Sequence, residues 1–300
     1  MDWTTKDIPS QSGRLAVITG ASGGLGFEVA AILANKGAEI VVAARNADKG
    51  QTAATKLGRS ARYEPLDLAD LTSVKDFAAR LLQRAQPISL LINNAGLAAP
   101  PKRQVTRDGF ELQFGTNFLG HFLLTACLMP LLQKALSPRV VTVSSLVEKS
   151  AKIDLNDLMS EHNYSPTRSY GQSKLANLLF ARELQRRSDA NGWGLLSVAA
   201  HPGIAVTELT KSRPGQPVLR FNTFFEMISP LIGQSAARGA LPILYAATSP
   251  DAEPGGYYGP QGFMDMKGPP GPARSSKISR DPKIAAQLWL EAETLTGAKF

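Results

Sequence analysis

The chain has 300 residues, of which 43% are hydrophobic and 19% charged, with 26 glycines, 20 prolines and one cysteine. That composition suits a globular protein with a large core and excludes disordered, collagen-like and disulfide-stapled classes. The 33 basic and 25 acidic residues leave a net charge of +8, but the densest clusters, Lys102-Arg103 and Arg186-Arg187, are short and not interleaved with aromatics. Nucleic-acid binding is therefore not expected, and the basic surface reads as one that attracts an anionic cofactor.

The three histidines, His121, His162 and His201, are too scattered for a zinc cluster, so no metal is expected. The lone Cys127 suits a reducing compartment. Residues 1–13 are polar and show no targeting peptide. No run reaches the ~20 apolar residues of a membrane span, and the nearest, 218–232, is broken by Arg220, Asn222, Glu226 and Pro230. A soluble, cytoplasmic protein is expected.

Apolar, β-branched residues at 15–19 run into a glycine cluster, which predicts a buried parallel strand. Leu25, Val29, Ile32 and Leu33 then recur at helical spacing, and Gly37 closes a helix over 24–36. Strands follow at 39–43, 62–66, 89–92, 139–144 and 195–200. Between them lie helices at 47–57, 71–84, 110–132 and 169–187. The last third is less regular: a Phe-rich stretch within 211–232, a helix over 234–247, a short strand at Tyr257-Tyr258, an irregular Gly/Pro-rich segment at 264–280 and a helix over 282–295. Strand–helix repetition near thirty residues predicts one α/β domain over 1–300, a doubly wound parallel sheet of about seven strands.

Thr19-Gly20-Ala21-Ser22-Gly23-Gly24-Leu25-Gly26 joins the first strand to the first helix. Glycines there let the backbone turn sharply and approach a pyrophosphate, which a helix N-terminus stabilises with its free N–H groups. The spacing is not the common G-x-G-x-x-G: three residues separate Gly20 from Gly24. At the end of the second strand an NAD enzyme usually places a carboxylate for the ribose 2′-hydroxyl. This chain has Ala44 and then Arg45, whose guanidinium can grip a 2′-phosphate, so NADP(H) is expected.

The glycine loop resembles that of the short-chain dehydrogenase/reductase superfamily, and four further motifs fall in that family's order. These are Asn93-Asn94-Ala95-Gly96, Asn117 on the long helix, Ser144-Ser145, and Tyr170-Gly171-Gln172-Ser173-Lys174. Pro202-Gly203, with Thr207 beyond it, follows the sixth strand. The resemblance covers roughly residues 13–260. The 25-residue spacing from Ser145 to Tyr170, Asn117-Phe118-Leu119-Gly120-His121-Phe122 and Ser173-Lys174-Leu175-Ala176-Asn177 are similar to the retinol dehydrogenase-like branch, and in part to protochlorophyllide reductases.

The resemblance implies a catalytic set of Asn117, Ser145, Tyr170 and Lys174. Tyr170 is the proton donor, and Lys174, one helical turn on, lowers its pKa and binds the nicotinamide ribose. Ser145, rather than Ser144, holds the substrate oxygen. Asn117 completes a proton relay through a water held by the helix backbone. The implied cofactor contacts are Gly20, Ser22, Gly24, Leu25 and Gly26; Arg45 and Asn46; Asp67, facing the adenine amino group, and Leu68; Asn94, Ala95 and Gly96; Tyr170 and Lys174; and Pro202, Gly203, Ile204 and Thr207.

The reading is thus an NADPH-dependent oxidoreductase interconverting a carbonyl and an alcohol. A Phe-rich substrate lid at about 208–232 favours a bulky, lipophilic small molecule, and a C-terminal extension covers about 261–300. A homo-oligomer, dimer or tetramer, is expected. Reduction of a conjugated C=C bond is the alternative chemistry. A non-catalytic nucleotide-sensing module is the alternative of another class, and the presence of both Tyr170 and Lys174 argues against it. His121 reads as a packing residue, Cys127 as a buried helix residue.

Overall fold

The computed structural model describes residues 2–204 and 234–300. The expected lid at 208–232 and Thr207 lie outside the described residues. An eight-stranded sheet has the order β3-β2-β1-β4-β5-β6-β7-β8. The strands are β1 (Leu15–Thr19), β2 (Glu39–Ala44), β3 (Ala61–Pro65), β4 (Leu90–Asn93), β5 (Arg139–Val143), β6 (Leu196–Ala200), β7 (Tyr257–Pro260) and β8 (Pro270–Pro272). All neighbours pair in parallel except β7 and β8.

Helices cover both faces. Alternating side chains of the central strands divide between them. Val17, Val41, Leu91 and Val140 join the core packed under α3 (Leu71–Arg84), α4 (Leu112–Leu132), α5 (Pro166–Asn191) and α7 (Pro282–Thr296). Ile18, Ile40, Val42, Ile92 and Val141 join a second core under α1 (Gly24–Asn35), α2 (Ala47–Leu57) and α6 (Ala236–Thr248). This is the doubly wound architecture expected from the strand–helix repetition. Winding reverses between β1 and β4, and it is outside the C-terminal ends of such strands that open α/β sheets bind ligands.

Three elements depart from the sequence reading. β8 lies inside the segment read as irregular. Pro270 and Pro272 donate nothing, but Ala273 N–H bonds Tyr257 O at 2.8 Å and Gln261 N–H bonds Pro269 O at 2.9 Å. An edge strand tolerates prolines that an inner strand would not. The long helix read over 110–132 starts at Leu112 and contains a π turn over Gly115–Leu119, closed by Gly120 N–H on Gly115 O. The helix carrying Tyr170 runs three residues earlier and four later than its apolar spacing indicates, starting on Pro166 and ending at a left-handed Gly192. By length and composition α4 could cross a membrane, contrary to the expectation that no segment would. Here 89% of its most apolar window is buried inside the fold, where it serves as a core helix.

Candidate active site

The glycine loop leaves β1 at Thr19. Gly20 has φ of +70° and donates its N–H to Ala43 O at 2.8 Å; a Cβ there would stand 3.0 Å from Ala95 Cα. A Cβ on Gly26 would lie 2.6 Å from both Gly20 O and Asn94 Nδ2. These two glycines therefore let loop, helix and β4 turn approach one another. Gly23 is different: a Cβ there meets nothing within 4 Å. It is the N-cap of α1, and the first N–H groups of α1, from Gly24, Leu25 and Gly26, have no side-chain cap. A pyrophosphate fits that cradle, since a helix start without its own cap is an anion site.

Arg45 follows β2 with its side chain 68% exposed, 4.0 Å from the Asp67 carboxylate. Asp67 is held by its own loop: Oδ1 accepts Ala69 N–H at 3.0 Å, and its N–H donates to Ser73 Oγ at 3.0 Å. Ala44 is buried and offers no carboxylate. Asn46 caps α2, accepting Lys49 N–H on Oδ1 at 2.8 Å, so this expected cofactor contact already has a structural task. Leu68 is buried against Gly120, whose missing side chain makes room for it.

Asn94 and Ala95 close the other side of the cradle. Both donate backbone N–H groups to Thr19 Oγ1 at 2.9 Å, and Asn94 Nδ2 donates to Thr19 O at 2.8 Å. Gly96 leads into the second half of the site. A Cβ on it would be 3.1 Å from Asn117 Oδ1 and 3.3 Å from Lys174 Nζ, so the backbone passes closely between these groups and a larger residue would crowd both. Pro202, Gly203 and Ile204 extend β6 over the same end of the sheet. Gly203 has φ of +65°, Ile204 N–H donates to Met266 O at 3.0 Å, and Gln234 Nε2 donates to Pro202 O at 2.7 Å.

Tyr170 and Lys174 sit one turn apart on α5, with Nζ 5.8 Å from the phenol ring centroid. Lys174 is 4% exposed and donates to Val143 O at 3.1 Å. Burial pushes its ammonium down to about 8. Burial also pushes the Tyr170 phenol up, opposed by a hydrogen bond with Ser145. The lowering by Lys174 that the resemblance implies is not among the influences on Tyr170: desolvation dominates, and only the Ser145 hydrogen bond acts against it. Ser144 hydroxyl is spent on Lys174 O at 2.7 Å, which leaves Ser145 as the serine facing the phenol. Asn117 Oδ1 accepts Leu97 N–H at 2.9 Å, and its Nδ2 donates to Leu97 O and Ser173 Oγ, both at 3.0 Å. The four expected catalytic residues are brought to one end of the sheet beside the glycine cradle.

Two participants escaped the sequence reading. Thr19 appears there only as a loop residue, yet it organises the Asn94 turn. His121, read as packing, bonds Thr19 Oγ1 through Nε2 at 2.8 Å and Asn117 O through Nδ1 at 2.9 Å. The only advance signal was its place four residues after Asn117. Asn177 Nδ2 shares Val143 O with Lys174, at 3.1 Å. Among the described residues no group of three or more His, Cys, Asp or Glu is placed to hold a metal.

The short chain dehydrogenase family model matches residues 14–217. Polyprenol dehydrogenase of Mus musculus is 39% identical over 307 residues, covering 99% of this chain and 88% of that protein. Retinol dehydrogenase 12 of Mus musculus is 37% identical over 303 residues, covering 99% and 90%. Among solved structures, an uncharacterized protein from Mycobacterium Paratuberculosis superposes with a TM-score of 0.83 at 40% identity, covering 100% of this chain and 99% of that one. The 3-ketoacyl-(acyl-carrier-protein) reductase from Brucella melitensis, complexed with NADH, shares the fold: TM-score 0.65, 21% identity, covering 83% and 96%. With the cradle, the half-buried Tyr170 beside a buried Lys174 and these likenesses together, the chain belongs to the short-chain dehydrogenase family of nicotinamide-dependent oxidoreductases.

Proposed function

We propose that the protein interconverts a bulky, lipophilic ketone or aldehyde and its alcohol with NADP(H). The observation that carries this reading is the convergence at Gly96, where Lys174 Nζ and Asn117 Oδ1 flank the backbone while Tyr170 meets Ser145 one turn away. Bound in the cradle, the nicotinamide would supply or take the hydride. Tyr170 holds the proton that neutralises the substrate oxygen, and Ser145 hydrogen-bonds that oxygen, fixing the carbonyl against the phenol. Lys174, protonated below about pH 8 and one turn from Tyr170, is the group that returns the proton to the phenol, and Asn117 would complete the relay through a water. Arg45, beside Asp67 and after a strand end without a carboxylate, supports NADPH over NADH. The lipophilic substrate class rests on the aromatic content of the expected lid and on the names of the relatives, a polyprenol and a retinol dehydrogenase.

The test is oxidation of NADPH, and separately of NADH, by purified protein with short and long-chain ketones, aldehydes and enones. Turnover of long-chain carbonyls with NADPH is expected. Activity confined to enones would replace carbonyl reduction by C=C reduction, and turnover of short substrates alone would remove the lipophilic class.

A further inference from the structure

His121 is nearly fully buried, yet both ring nitrogens are within hydrogen-bond distance of groups from opposite halves of the site. A backbone carbonyl can only accept, so Nδ1 carries the proton toward Asn117 O, and in the neutral ring Nε2 accepts. Its partner, Thr19 Oγ1, already accepts the Asn94 and Ala95 N–H groups, so its single proton is the one to give. That proton has a second acceptor in Ile92 O, but at 3.3 Å against 2.8 Å to the imidazole. Every donor and acceptor is then used once. A charged imidazole would add a third donor to an oxygen with two lone pairs. Burial acts in the same sense, pushing His121 down to about 4.

The carbonyl that Nδ1 engages belongs to Asn117, inside the π turn Gly115–Leu119, where the helical hydrogen-bond ladder is shifted. Thr19 ends β1, Asn94 and Ala95 follow β4, and Asn117 belongs to the proposed proton relay. One imidazole therefore spans the cofactor cradle and the relay. Its neighbours add no competing acid: Lys174 contributes only a repulsive positive charge, and Thr125 Oγ1 donates to the His121 backbone carbonyl at 2.8 Å.

We propose that His121 is a positioning residue, an Nδ1-protonated bridge from Thr19 to the Asn117 carbonyl that sets the relay carbonyl in register with the Asn94–Ala95 side of the cofactor cradle. This rests on the oxidoreductase reading above. It assigns to His121 no proton transfer with substrate.

Two variants separate the arms of the bridge. In His121→Asn the amide nitrogen can take the place of Nδ1 and still donate to Asn117 O, but nothing reaches Thr19. In His121→Gln the terminal oxygen can take the place of Nε2 and accept from Thr19, but the donor to Asn117 is lost. Cofactor Kd is read by fluorescence titration with NADPH, and kcat from turnover at saturating cofactor. Leaving one buried partner unsatisfied costs roughly tenfold. His121→Asn is expected to lose about tenfold more in cofactor affinity than in kcat, and His121→Gln about tenfold more in kcat than in affinity. Parallel losses in both variants, or no loss in either, overturn the bridge.

If both variants fail to fold, the unaltered protein decides. In ¹⁵N-histidine spectra at pH 7, His121 is expected as the Nδ1–H tautomer. His201, whose Nδ1 accepts Gly203 N–H at 3.2 Å, is expected as the opposite one. An Nε2–H or doubly protonated His121 refutes the proposal. Absence of any carbonyl turnover in the unaltered protein would count against the proposed function, while the titration and the tautomer still judge the bridge.

Discussion

Two glycines of the cradle, three residues apart, should differ in stability when given the same added methyl group. In Gly26→Ala the new Cβ would sit 2.6 Å from Gly20 O and from Asn94 Nδ2. Asn94 cannot swing aside freely, because Nδ2 is bonded to Thr19 O at 2.8 Å. Relief to an ordinary contact requires the start of α1 to move by about 0.6–0.8 Å, and such overpacking costs about 1–3 kcal/mol. The helix-propensity gain of alanine over glycine, at most about 1 kcal/mol and less in a first turn, does not cancel it. Unfolding free energy should fall by about 1–2 kcal/mol in denaturant titration. NADPH affinity should fall about ten- to a hundredfold, as expected for donors misplaced by most of an ångström. Gly23→Ala meets no atom within 4 Å, and φ of 178° is extended backbone open to any residue. Its stability should be unchanged, but a methyl beside a pyrophosphate held at the α1 N-terminus would crowd it, so NADPH affinity should still fall about tenfold. A Gly26→Ala protein as stable as the parent with unaltered affinity would refute the packing argument. Full affinity in Gly23→Ala would show that no phosphate lies before α1.

Arg45→Ala should lower the preference for NADPH over NADH about tenfold, the low end for a charge-assisted contact because Arg45 is 68% exposed; comparison of the two Kd values checks it, and an unchanged ratio refutes the assignment. Tyr170→Phe should reduce kcat at least a thousandfold while NADPH Kd changes less than about threefold, since only the phenolic proton is removed; residual activity above a few per cent at every pH would remove Tyr170 as the acid. With Lys174 charged only below about 8, kcat for reduction should fall as pH rises through 8, and a flat profile to pH 9.5 would exclude it from the relay. The buried His121 and His201 are both pushed down to about 4 from 6.5. The unfolded chain thus binds more protons between these values, and stability should be lost as pH falls from 6.5 to 4, on the order of 2–3 kcal/mol for each; denaturant titrations at pH 7 and 5 that coincide would refute this.

The central sheet was legible because its inner strands are buried on both faces. Leu15–Thr19 is five apolar or β-branched residues in a row, fully buried as read, and the helices between carry the 3.6-residue spacing of a one-sided stripe. β8 was not legible because its signal is one of hydrogen bonding: a Gly/Pro segment can pair at an edge with no hydrophobic pattern at all. The π turn was hidden for a similar reason, since a helix hydrophobic all round gives no phase from which a shifted ladder can be read. Of the site, the residues fixed by chemistry at short spacing, Tyr170 with Lys174 and the glycines with one another, could be read directly. Ser145 could be told from Ser144 only by the resemblance, and in the structure by the bond from Ser144 to Lys174 O. Thr19 and His121 were missed because their partners are 102 and 75 residues apart in the chain.

The same distance in sequence hid the tie between the C-terminal segment and the helix that carries Tyr170. Arg182, on α5 three turns past Tyr170, donates to Ser279 O and Oγ at 2.8 Å and to Ser275 Oγ at 3.0 Å. Glu148, fully buried just after Ser145, accepts Ser276 N–H at 3.1 Å. Further along, Trp289 of α7 stacks on Phe180 at 5.8 Å and lies under the Arg187 guanidinium at 4.3 Å. Residues 275–289 therefore grip both the turn that carries Ser145 and the helix that carries Tyr170, from the side away from the glycine loop. In the proposed mechanism the phenol and the hydroxyl meet at one substrate oxygen, which needs a fixed separation. The sheet fixes Ser145 through β5, but α5 is 26 residues long and touches the sheet along one face only. The C-terminal segment supplies the second face, so it contributes to the site without placing any residue in it.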